Sequence, residues 1–161
     1  MGKVIIGIKA GVVSGLIYGI FLAPLIYLEL ILFKEEYMSM IIASLTSSSI
    51  TPEEAYNITL LIGPILVFIM GIILGLIFGI IYGWAYNRIP GRTSIIKGII
   101  FGLILWFILS VLLGLGNLWY SVTYYLYGLG VGLIEYLIFG VLLGFFYNRF
   151  IPKAVEKALS Q

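Results

Sequence analysis

Four apolar runs dominate this chain, roughly Ala10 to Phe33, Thr59 to Trp84, Ile99 to Leu115 and Val122 to Phe146, and the ionisable residues fall almost entirely between them. Each run is close to the ~20 residues an α-helix needs to cross a hydrocarbon core. Backbone polar groups in lipid must be satisfied internally, which leaves helices or closed barrels. Barrel strands are shorter and alternate polar with apolar, and these runs do neither. The chain therefore reads as an all-α integral membrane protein with four transmembrane helices, a single transmembrane domain over residues 1–161. A soluble chain would rarely be 62% hydrophobic and 10% charged, because its surface could not satisfy water.

The sequence contains no Cys, His or Asp. Thiol catalysis, Ser-His-Asp triads, structural zinc, haem held by His and iron–sulfur clusters all need those residues. A noncatalytic protein without cofactor or metal is the expectation.

Charge sets an orientation. Lys3, Lys9, Arg88, Arg92, Lys97, Arg149, Lys153 and Lys157 lie at the termini or between runs two and three, whereas the other two connections hold Lys34, Glu35, Glu36, Glu53 and Glu54. The positive-inside rule then places both termini and the middle connection in the cytoplasm, with the protein in the plasma membrane. The first run exceeds the ~7–15 apolar residues of a signal peptide, and Pro24 follows Ala23 directly, so this helix is expected to be retained.

Local signals divide the chain further. Pro24 and Pro64 each remove a backbone donor and predict bends. Tyr37 to Leu45 is too short to span and too apolar for water, and reads as an interfacial segment with Tyr37 and Met38 facing lipid. Thr46 to Ser49 reads as a flexible link. Thr51-Pro52-Glu53-Glu54 predicts a helix start with a hydroxyl cap, proline in the first turn and carboxylates at the positive dipole end. Thr93 or Ser94 caps the next helix. The connection around Gly116 to Tyr120 is short, so the last two helices are antiparallel neighbours. Tyr56, Trp119, Tyr120, Tyr124, Tyr125 and Tyr127 predict an outer aromatic belt, and Tyr82, Trp84, Tyr86 and Tyr147 an inner one.

The chain also repeats itself. Gly79-Ile-Ile-Tyr-Gly83-Trp-Ala-Tyr86-Asn87-Arg88 matches Gly140-Val-Leu-Leu-Gly144-Phe-Phe-Tyr147-Asn148-Arg149, and Lys9 to Gly15 echoes Lys97 to Gly102. Two similar helical hairpins, about 1–91 and about 92–161, are expected, related as a parallel repeat by an axis along the membrane normal.

Glycines recur at four-residue spacing: Gly7, Gly11, Gly15 and Gly19; Gly71, Gly75, Gly79 and Gly83; Gly98 and Gly102; Gly128 and Gly132; Gly140 and Gly144. In lipid such faces let backbones approach and dispersion contacts accumulate. They predict a tightly packed bundle. On the last helix, one pair is assigned to the bundle and the other to a partner.

Glu135 is the conspicuous intramembrane residue, since a charge there costs on the order of 3 kcal/mol or more. Helical spacing puts it on the face of Gly128, Gly132 and Phe139, directed into the bundle. An ion or proton site is one reading. A protonated carboxyl hydrogen-bonded to a neighbouring Tyr or Ser ranks ahead of it, because the equivalent residue of the first half is Leu74 and no intramembrane cation is at hand. Glu29 is expected to be solvated, and Lys9 and Lys97 to snorkel. Asn87 and Asn148 are expected to cap helix ends, with Arg88 and Arg149 anchored at lipid headgroups. Asn57-Ile58-Thr59 matches a glycosylation pattern. No basic stripe suits nucleic acid. The leading expectation is an accessory or assembly subunit, packed through its glycine faces as a homo-oligomer or within a larger membrane complex. The alternative is a small transporter or channel for a proton, cation or small solute, working through Glu135.

Overall fold

The computed structural model describes residues 2–45, 50–119 and 121–151. The Thr46 to Ser49 link, the Tyr120 position of the outer belt, and Pro152, Lys153 and Lys157 lie outside the described residues. The elements are α1 (Lys3–Leu32), α2 (Lys34–Ser44), α3 (Pro52–Ala85), α4 (Ser94–Trp106) and α5 (Val122–Phe150). Counting α4 together with its continuation to Gly116, four of the helical segments are long and apolar enough to cross a membrane. Their outward Ile and Leu side chains are exposed, among them Leu61, Leu66, Leu113 and Ile134. That surface suits hydrocarbon as its solvent.

The start of α3 follows from its sequence. The Thr51 side chain accepts from the Glu54 N–H, the Glu54 carboxylate accepts from the Thr51 N–H, and Pro52 sits where its missing donor is harmless. Thr93 caps α4, accepting from the Ile96 N–H at 3.3 Å. Between these helices Gly91 takes φ +138°, a conformation that a side chain would strain. The helical assignment of α1 and α3 runs unbroken through Pro24 and Pro64.

The third span departs from expectation. Beyond Trp106 it widens into a π-helical segment, Phe107–Leu112, and then tightens into a 3-10 segment, Leu113–Trp119. A π turn exposes carbonyls, and the Tyr125 hydroxyl donates to the Val111 carbonyl at 3.3 Å.

Helix pairing follows the small residues. The principal contacts are α3 on α1, α1 on α5 and α5 on α4. Gly7, Gly11 and Gly15 of α1 lie against Gly71, Gly75, Gly79 and Gly83 of α3. The approach is so close that a β-carbon at Gly11 would stand 2.7 Å from the Gly79 Cα, and one at Gly75 would stand 2.7 Å from the Gly15 Cα. On α4 and α5, a β-carbon at Gly98 would stand 2.9 Å from the Gly144 Cα, and one at Gly102 would stand 3.3 Å from the Gly140 Cα. Gly132 faces Ser110 and Trp106, while Gly128 and Gly130 have nothing within 4 Å. On the same helix, Phe139 lines a pocket together with Glu135.

The core gathers where α3 ends and α4 begins, an end termed here the base. Ile6, Ala10, Tyr82, Tyr86, Phe101, Leu143 and Tyr147 are buried together. Tyr82, Tyr86 and Tyr147 therefore do not form an inner belt. Their rings pack on one another, Tyr86 stacked on Tyr147 at 4.4 Å, and Ser94 takes up two of the hydroxyls. Tyr82 donates to the Ser94 carbonyl, and the Tyr86 hydroxyl pairs with the Ser94 hydroxyl, each at 2.7 Å. Buried phenols need such partners. Tyr56 is likewise buried, donating to the Leu30 carbonyl at 2.8 Å. Trp84 and Trp119 remain outward, at 64% and 91% exposure.

Candidate functional site

Above the base, α3 and α5 both rest on α1 and leave a pocket of about 220 Å³ between them. Glu135 and Tyr136 of α5, Tyr18 of α1 and Gly71 and Gly75 of α3 line it. Phe139 closes one side, its ring 5.4 Å from Tyr18 and 6.0 Å from Phe78. Leu22, Val67, Met70 and Leu74 complete an apolar wall. The glycine face of α3 matters here, because Gly71 and Gly75 contribute wall without filling the space. Glu135 is half-buried and has no hydrogen-bond or ion-pair partner among the described residues. The expected bond to a neighbouring Tyr or Ser is not made.

A second polar cluster lies at the opposite end. One carboxylate oxygen of Glu29 accepts from the Tyr37 hydroxyl and from the Tyr124 hydroxyl, each at 2.9 Å, and the two hydroxyls are 3.0 Å apart. Phe33 packs on Tyr124 and Tyr127 at 5.3 and 4.7 Å. Glu29 is thus sequestered by tyrosines of α2 and α5, and Tyr37 turns inward and does not face lipid. Burial, followed by the bond with Tyr124 and the nearness of Glu29, holds the Tyr37 hydroxyl well above the ordinary tyrosine range. Along α1, Ser14 is wholly buried and its hydroxyl finds no partner among the described residues.

Residues 1–157 match the family DUF6789, described as a family of unknown function. The chain belongs to DUF6789. No curated protein and no solved structure matches it. In this DUF6789 protein Asn57, Arg88 and Arg149 are surface features. Asn57 is exposed on the second turn of α3, beside a Thr59 hydroxyl that donates to the Ala55 carbonyl at 2.9 Å. Arg88 lies over the Trp84 ring at 4.4 Å, and Arg149 is exposed in the last turn of α5. Asn148 does not end its helix, which continues to Phe150, and Asn87 falls in the turn after α3. Lys97 does not snorkel. Its ammonium donates to the Tyr86 carbonyl at 2.9 Å and stands 4.2 Å from the Tyr86 ring, satisfying the C-terminal end of α3. The DUF6789 chain thus brings Glu135 together with Tyr18, Tyr136, Phe78 and Phe139. Helical spacing places Phe139 beside Glu135, whereas Tyr18 and Phe78 were missed, because they sit on separate helices whose pairing no local pattern specifies.

Proposed function

We propose that this protein is a small membrane carrier that binds and moves a proton, cation or small solute through Glu135. The observation that carries the reading is an unpartnered carboxylate on the wall of a membrane-level pocket. An ionisable group is expensive there, and the default account of one is function. The assembly-subunit reading rested on surplus glycine faces. Most of those faces now meet inside the chain, which weakens its main support. One observation still favours it: Gly128 and Gly130 are open on α5, where a second copy or another membrane protein would fit.

The proposed orientation puts the base, with Arg88, Arg92 and Arg149, in the cytoplasm of a plasma-membrane protein. A parallel repeat is supported by pairs at matching positions that line or flank one axis: Leu74 with Glu135, Phe78 with Phe139, and Tyr86 with Tyr147. The glycine contacts support it too, with a register one turn away from the Lys9 and Lys97 match. Gly7 meets Gly79 and Gly83 as Gly98 meets Gly140 and Gly144, and Gly11 meets Gly75 and Gly79 as Gly102 meets Tyr136 and Gly140. The two halves differ at the pocket, where Glu135 stands opposite Leu74.

Purified protein in liposomes tests the carrier. A pH-dependent ion flux is expected in wild type and should vanish in Glu135→Gln, which keeps shape but cannot ionise. A folded wild type that moves neither protons, inorganic cations nor an added organic cation down imposed gradients would return the assembly reading to first place.

A further inference from the structure

Building on the carrier reading, we infer that the Glu135 pocket takes an organic ammonium with an apolar body, not an inorganic ion. Three features of the wall select this class. The negative charge comes from one carboxylate with no cation among the described residues lining the pocket, so a ligand cation would be its counter-charge. The rings of Tyr18, Phe78, Tyr136 and Phe139 line the same pocket as that carboxylate, and aromatic faces attract a desolvated ammonium. The rest of the wall, Leu22, Val67, Met70 and Leu74, offers dispersion contacts to a hydrocarbon body and nothing to a hydrated ion.

A hard metal ion is poorly served by the same wall. Magnesium and calcium require about six or more oxygen ligands. The pocket supplies one carboxylate and two phenols, and no group of three acidic, His or Cys side chains suited to a metal occurs among the described residues. An amphiphilic ammonium also has a route. It partitions into the bilayer and reaches the pocket between α3 and α5, the two helices that are not principal partners of one another.

Benzyltrimethylammonium and its neutral carbon isostere neopentylbenzene separate charge recognition from simple apolar uptake. With the full chain in nanodiscs, titration should show saturable binding of the cation at least tenfold tighter than the isostere. Glu135→Gln should erase that preference while leaving the isostere unchanged, and Phe139→Leu should weaken the cation severalfold. Equal affinity for the two probes in wild type would overturn the inference, and this comparison needs no variant to fold. So would a cation preference that survives in folded Glu135→Gln. The carrier reading fails separately: cation binding without flux leaves the ligand class standing and removes transport, whereas proton flux without cation binding does the reverse.

Discussion

At the scale of single residues, the polar side chains inside this protein fall into satisfied and unsatisfied sets, and each set makes a prediction. Tyr37 gives up the hydrogen bond it donates to Glu29 when replaced by Phe, and leaves the Tyr124 hydroxyl without its neighbour at 3.0 Å. Unfolding in detergent should show a loss of about 1–3 kcal/mol. Tyr124→Phe should cost a similar amount, and the double variant less than the sum, since the three groups share one network. The Tyr37 hydroxyl is harder to ionise folded than unfolded, so the folded state binds its proton more tightly. That contribution is complete below the unfolded value near 10 and is lost as pH rises past it, so stability should fall less steeply above about pH 10 in Tyr37→Phe. Ser14 makes the opposite prediction. Its buried hydroxyl has no partner among the described residues, so Ser14→Ala should leave the melting temperature unchanged or raise it. A clear drop would show that the hydroxyl has a ligand.

At the scale of helices, glycines at equal spacing make unequal predictions. A methyl at Gly75 would press on the Gly11 carbonyl and Gly15 Cα, so Gly75→Ala should destabilise by about 1–3 kcal/mol in a thermal or denaturant series. Gly128→Ala meets open space and should be neutral or gain up to about 1 kcal/mol of helix propensity. Should Gly128→Leu instead break an oligomer while the monomer stays equally stable, that face is an assembly contact. The spacing of these glycines was legible in the sequence, since small residues four apart define a helix face. What lies opposite was not, because a face does not name its partner. The tyrosines were misread for a related reason. Tyr82, Tyr86 and Tyr147 occur near helix ends as interfacial anchors do, and only the buried Ser94 between chain segments distinguishes a core phenol from a belt phenol. The π-helical turn at Phe107 to Leu112 left no sign at all: its apolar run lacks the Pro or Gly that usually marks an irregular helix.

For the whole molecule, hydropathy and the capped start at Thr51 were enough to find the spans, because lipid enforces segment length. The Glu135 pocket was half legible: the carboxylate announced itself, but the aromatic wall depends on three helices meeting. Orientation is open to direct measurement in this naturally Cys-free chain. A membrane-impermeant thiol reagent outside sealed cells should label Glu53→Cys and spare Pro90→Cys, and the reverse pattern would invert the topology. The glycine packing described above has a mechanical meaning as well. Backbone seated on backbone leaves no cushion of side chains to shear, so α1 with α3, and α5 with the first turns of α4, behave as two stiff plates. Between the plates runs a softer seam of Tyr18, Phe139 and the Glu29 cluster, fastened at the base by the stacked tyrosines. Spin labels at Leu28 and Leu61, both on one plate, should then keep a fixed separation, while labels at Leu28 and Leu126 should show a spread of distances. Any breathing of this molecule should then be a hinge motion about its base that first breaks the hydrogen bonds of Glu29 with Tyr37 and Tyr124, and it could open or shut the pocket without parting a single pair of glycines.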